Sequence, residues 1–250
     1  MSAYLTLTRR ELSAFFLSLS GYVTIAAMVL LMGQSLAGLL GQLQGAATSA
    51  PITQLYYSTP YFWYVILLGG PLITMRLFAL EKFSGTFETL MTTPISDLQV
   101  VLAKFTAAMI FYVLAWLPLL GCMLVLRRYI TNTESFDGGL FGSLFLGIFL
   151  LGGLFISIGC FASALTRNQI TAAMISFAIG YSFFLVSSLS GQWKTPTPWL
   201  TDILSQVSLV GDMQDFARGT VDTRHIVFYV TLSVLFLFLT LRVVESRRWK

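Results

Sequence analysis

Charge is what this sequence has least of. Only 10% of its 250 residues are Asp, Glu, Lys or Arg, against roughly a quarter in an average soluble domain. A soluble fold of this length needs a polar coat that so few charges cannot supply, which argues against a soluble enzyme or binding module. Histidine occurs once, at position 225, and cysteine twice, at 122 and 160. Those counts exclude a disulfide framework and a four-ligand zinc site, and both cysteines sit in apolar runs where they read as small buried hydrophobes. The net charge of +4 is the difference of 15 basic and 11 acidic residues. It gives no dense basic face, so nucleic acid is not an expected partner. No G-x-x-x-x-G-K-[ST] stretch is present, so the chain cannot cradle nucleotide phosphates itself and must borrow its energy.

What is abundant is apolar: 56% of the residues are hydrophobic. The gaps between charges locate membrane segments. Glu11 and Arg76 are separated by 64 uncharged residues, Lys104 and Arg127 by 22, Asp137 and Arg167 by 29, and Arg167 and Lys194 by 26. A helix crosses the hydrocarbon core with about 20 residues. A mid-bilayer charge costs roughly 2.5–3.5 kcal/mol even on the mild insertion scale. The first gap is long enough for two crossings, and its middle, Gln42 to Pro60, has loop composition. Six spans are therefore predicted over 19–41, 61–80, 105–126, 139–164, 168–190 and 226–244. These spans hold no Asp, Glu, His or Lys of the kind a proton- or sodium-coupled carrier uses. The run after Arg9 and Arg10 is far longer than the roughly 7–15 residues of a signal-peptide core, so no cleavage is expected there.

Six crossings put both termini on one side. That side carries ten basic residues (Arg9, Arg10, Arg76, Lys82, Lys104, Arg167, Arg242, Arg247, Arg248 and Lys250), and the other carries five (Arg127, Arg128, Lys194, Arg218 and Arg224). The excess favours cytoplasmic termini, with Arg127 and Arg128 dissenting.

Three segments lie outside the predicted spans. Residues 1–18 mix Leu5, Leu7, Leu12, Phe15 and Phe16 with Arg9, Arg10 and Glu11. They suit a helix in the membrane interface with its arginines toward anionic headgroups, or else a simple extension of span one. Residues 81–104 read helix, break, short helix, break, helix: Gly85 ends the first, Thr86 to Met91 forms the second, Pro94 ends it, and Ser96 with Gln99 is a capping-box pattern that starts the third. This loop either presents its small helix to a partner or is merely solvated. Residues 191–225 include a turn at Thr195, Pro196 and Pro198. An amphipathic helix follows at 199–218, with Leu200, Ile203, Leu204, Val207 and Val210 on one stripe and Asp202, Ser205, Gln206, Asp212 and Asp215 elsewhere. Trp193 and Trp199 fit either an aromatic belt or plain packing. His225 reads as an interfacial polar residue. The small residues four apart in span four (Gly138/Gly142, Ser143/Gly147, Gly153/Ser157, Gly159/Ser163) would admit a close helix, within the chain or from a second copy. Pro71 and Pro118 are expected to kink their helices.

The stretch Glu81-Lys82-Phe83-Ser84-Gly85-Thr86-Phe87-Glu88-Thr89-Leu90, followed by Pro94-Ile95-Ser96, resembles the hallmark of ABC-2-type permeases, the membrane subunits of one class of ATP-binding-cassette transporter. Arg10-Glu11-Leu12, with Phe16 and Tyr22, is similar to that family's amphipathic N-terminal helix. Phe216-Ala217-Arg218-Gly219-Thr220-Val221-Asp222 and Glu245-Ser246-Arg247-Arg248-Trp249 resemble the gliding-motility-type branch, to which the nitrous-oxide-reductase maturation permeases are neighbours.

The resemblance implies an all-α, polytopic membrane protein with six transmembrane helices in an ABC-2 (type V exporter-like) permease fold. It implies a paired permease, identical or related, and two cytoplasmic ABC ATPase subunits that bind ATP and magnesium, so that this chain needs no cofactor. It also implies a coupling element made of Glu81, Lys82, Gly85, Thr86, Phe87, Glu88 and Pro94, supported by Arg9, Arg10 and Glu11. The expected activity is export or extraction of a substrate across a bacterial inner membrane. A scaffold that drives an extracytoplasmic partner through the outer helix is the alternative. An intramembrane enzyme is disfavoured, because no cluster of nucleophiles or ligands lies in the spans.

Overall fold

A computed structural model describes residues 3–43, 52–87, 95–129, 138–190 and 208–246. Among the described residues there are ten helices: α1 (Ala3–Phe16), α2 (Leu19–Leu43), α3 (Ile52–Tyr57), α4 (Pro60–Thr74), α5 (Ala79–Ser84), α6 (Asp97–Tyr129), α7 (Gly138–Leu165), α8 (Gln169–Ser190), α9 (Leu209–Ala217) and α10 (Thr223–Ser246). Six helical stretches are long and apolar enough to cross a membrane: Leu19–Gly41, Pro60–Ser84, Asp97–Leu124, Gly138–Leu165, Gln169–Leu189 and Thr223–Ser246. The expected all-α class and number of spanning helices are what the structure has. Large apolar side chains point outward from α2, α6, α8 and α10, among them Leu30, Leu117, Met174 and Val234. In water such a surface aggregates; in hydrocarbon it is solvated.

Helix α7 is the hub, packed by α4, α6, α8, α9 and α10. Its small residues make this possible, and the close helices belong to the same chain. A methyl group added at Gly152 would lie 2.2 Å from the Tyr112 ring of α6, and one at Gly159 would lie 1.9 Å from Thr74 Oγ1 of α4. Gly147 meets Met213 and Phe216 of α9 in the same way. Cys160 is buried in this seam. Pro71 and Pro118 are accommodated inside α4 and α6.

Span two is not one continuous helix, as expected from 61–80. It stops at Thr74, turns over 75–78 and resumes as α5. Ser163 of α7 holds the turn. Its hydroxyl accepts the backbone N–H groups of Phe78 and Ala79, 3.1 Å each, and donates to the Met75 carbonyl at 3.4 Å. One side chain thus satisfies amides that the helix break would leave bare.

The end of the molecule opposite α1 is closed by α9. Ser208 caps it by accepting the Gly211 N–H. Its last carbonyls take hydrogen bonds from Ser143 (2.7 Å, to Phe216) and Thr53 (2.7 Å, to Ala217). The expected stripe is corrected here. The buried face is Leu209, Asp212, Met213, Phe216 and Ala217, while Val210 is only half-buried. Asp212 turns inward because it has a partner: His225 Nδ1 lies 2.9 Å from Asp212 Oδ1, and His225 Nε2 lies 3.3 Å from Asp215 Oδ2. Burial pushes the Asp212 carboxyl up to about 6, against the opposing pull of His225. The rest of the expected outer helix, with Trp193 and Trp199, lies outside the described residues, as do Arg247, Arg248 and Trp249.

Candidate functional site

At the α1 end, three segments distant in sequence converge on Lys104. Helix α1 separates from α2 at Leu17–Ser18, so the N-terminal segment is a helix of its own. Gly21 permits the corner, since a Cβ there would sit 2.0 Å from the Phe15 carbonyl oxygen. Ser18 then accepts the Gly21 N–H at 3.2 Å. Helix α1 lies against α6, buries Leu7, Thr8 and Glu11, and stacks Phe15 on Phe111 at 4.8 Å. The Tyr4 hydroxyl donates to Thr106 at 3.0 Å.

Lys104 is 1% exposed. Its Nζ lies 3.0 Å from Glu11 Oε1 and 2.9 Å from Glu81 Oε1. Arg10 reaches the same Glu81 oxygen at 3.4 Å from a mostly exposed position. The ammonium also stands 5.4 Å over the Phe78 ring. Two carboxylates on one buried lysine give a firm joint, because removing any member strands a charge in a low-dielectric site. Glu81 Oε2 is buried and has no hydrogen-bond partner.

The expectation that no lysine or acid is buried in the spans is corrected by this cluster. Lys104, Glu81 and Lys82 are all buried in spanning stretches. They escape the sequence reading because the helices run past the apolar segments. Lys104 is seven residues, about 10 Å, inside the start of α6, at the edge of the hydrocarbon rather than its middle.

Lys82 bonds the Ala164 carbonyl at the end of α7 and sits 5.3 Å over the Phe87 ring. The expected break is present: Gly85 ends α5 in the left-handed region at φ 74°, which glycine enters without strain. Thr86 meets Ser84, Oγ1 to Oγ at 2.8 Å, and Phe87 is buried. The third helix also starts as expected, with Gln99 N–H bonding Ser96 Oγ at 3.4 Å ahead of α6. Glu88, Pro94 and the short helix predicted between them lie outside the described residues. Arg9 is exposed and away from the Lys104 joint.

A cleft of about 240 Å³ opens between α1 and α5, walled by Ala14, Phe15, Leu77 and Leu80 and edged by Arg10, Arg76, Glu81 and Thr86. Arg76 bonds Ser20 across its floor. Beside it Phe83 is 77% exposed. Sequence reasoning missed Lys104, Ser163 and Phe83 as parts of this site. A lone lysine just outside an apolar run, together with two acids of otherwise charge-poor segments, was the available signal for Lys104. Among the described residues no group of His, Cys, Asp or Glu could hold a metal ion.

Comparison with known proteins fits this arrangement. The family model described as "ABC-2 family transporter protein" matches residues 42–242. Over 128 residues, 51% of this chain, the sequence is 32% identical to a probable multidrug ABC transporter permease, YbhS, of Escherichia coli strain K12, and equally to its counterpart in E. coli O157:H7. The matched region spans 32% of those relatives' own length.

Proposed function

This chain belongs to the ABC-2 transporter family, and on that premise we propose that it is a permease that takes its power from two separate ATPase subunits at its α1 end. The same reading makes α1, α5 and the loop after α5 the surface those subunits grip. It places that surface and both termini in the cytoplasm, the spans in a bacterial inner membrane, and a second permease chain beside this one. ATP and magnesium belong to the ATPases, and this chain carries no catalytic site. Export or extraction of a substrate is the proposed outcome, in the gliding-motility-type branch that the segments around Arg218 and Glu245 resemble.

The observation that carries the reading is the Lys104 joint. A loop helix that merely connected two spans would need no buried ionic tie. Here Glu81 of α5 and Glu11 of α1 are clamped to the same lysine, so a push on either moves both against α6. Glu81 Oε2, left without a donor, and Phe83, left exposed, are the chemistry an ATPase groove with one donor and one apolar pocket would satisfy.

The test is co-purification from membranes with the ATPase, followed by ATP turnover in nanodiscs. Phe83→Ala is expected to lose the ATPase while the permease stays folded, since Phe83 supports little in the chain itself. Retention of a fully active complex by Phe83→Ala and by a charge-reversed Arg10→Glu would overturn the proposed docking surface.

A further inference from the structure

The largest groove among the described residues lies away from this site, on the outer surface of the helical bundle. It holds about 670 Å³ between α6 and α10, with α7 as its floor and the first turns of α1 at one end. Its walls are almost wholly apolar, with Ile110 and Val113 of α6 facing Val230 and Val234 of α10, all four exposed. Gly153 keeps the floor low: a Cβ there would meet nothing nearer than Ser233 Oγ at 3.8 Å.

Depth identifies what fills it. Lys104, the polar boundary of α6, immediately precedes the first α6 residue of the groove, Phe105. The last is Leu114. Nine helical steps cover about 14 Å, close to half of a hydrocarbon core of about 30 Å. The groove therefore runs from the interface to the bilayer midplane and stops. A spanning helix of a second copy needs a seam across the whole membrane; this one serves a single leaflet. At its mouth Tyr4 and Thr106 share a hydrogen bond. Leu5 lines the groove, and Arg9, one turn further along α1, is exposed. The profile is an apolar slot one leaflet long with hydroxyls and a cation at the headgroup end.

We propose that this groove is a lateral lipid site, holding an acyl chain of a phospholipid from the leaflet in which α1 lies, with the phosphate beside Arg9. The site is independent of the ATPase surface and does not rest on it.

The full chain, reconstituted in vesicles of phosphatidylethanolamine and phosphatidylglycerol, can be photolabelled with a phospholipid carrying a diazirine partway along one chain. Adducts are expected to concentrate on 105–114 and 229–237, several-fold above the lipid-exposed face of α8 around Met174. Val234→Trp, which fills the slot from an exposed position, should lower that labelling several-fold without changing the melting temperature. Arg9→Ala should lower the preference for phosphatidylglycerol by about fivefold. Labelling spread evenly over the exposed faces of α2, α8 and α10 would sink the proposal. So would complete disulfide cross-linking between two chains bearing Val113→Cys, which would give the groove to a second copy.

Discussion

Lys104 and Glu81 meet at 2.9 Å, the lysine 1% exposed, on two helices joined by the loop that this family uses for coupling. Glu11, on a third helix, completes the joint at 3.0 Å. Lys104→Met strands two buried carboxylates and should cost about 3–5 kcal/mol, read as a lower unfolding temperature in nanodiscs. Removing all three charges together, as Glu11→Gln, Glu81→Gln and Lys104→Met, should recover most of that stability. ATP turnover should stay low in the triple variant, because α1 and α5 are then no longer tied.

Gly85 and Ser163 shape the helix that carries Glu81. Gly85→Ala forces a side chain to φ 74° and should destabilise by about 1–2 kcal/mol, with Gly85→Asn milder. Ser163→Ala removes the acceptor of two buried amides and should cost about 1–3 kcal/mol. Thermal unfolding of the three variants side by side checks the order.

The α4–α7 seam admits no added methyl at Gly159, where Thr74 Oγ1 stands 1.9 Å from the new carbon. Gly159→Ala should lose about 1–3 kcal/mol by overpacking. Gly33→Ala, in open space on α2, should instead be neutral or gain up to about 1 kcal/mol from helix propensity. Opposite signs for the same substitution separate packing from backbone entropy, and equal effects would contradict the seam.

Asp212 gives the opposite end a pH dependence. Its carboxyl sits at about 6 in the folded chain against a model value of 3.8. A raised acid binds its proton more tightly when folded, so its contribution to stability is highest at low pH and falls as pH rises from about 4 to about 6. Asp212→Asn removes that fall. The stability of Asp212→Asn relative to the parent should therefore increase across this window and then level off, as measured by thermal unfolding in detergent at a series of pH values. A difference that does not change with pH contradicts the burial assigned to this carboxyl.

The break at Gly85 and the fresh start at Ser96 were legible because each depends on one residue's backbone preference or on a cap three residues long. The inward turn of Asp212 was not. Helical period places a residue on a face but does not say whether an acid on that face finds a histidine from another helix. The interruption at 75–78 was hidden for the same reason, since Ser163, 85 residues from Phe78, supplies what the backbone lacks.

By itself the sequence determines that this protein lives in a bilayer and crosses it six times, because the cost of burying charge is local and additive along the chain. Its motif around Gly85 points to the family. Only the tertiary structure decides that Glu11, Glu81 and Lys104 form one joint, that α7 is the hub, and that α6 and α10 leave a slot one leaflet deep. Those outcomes depend on how helices rotate and settle against one another, which the contact of specific side chains fixes and no periodicity records.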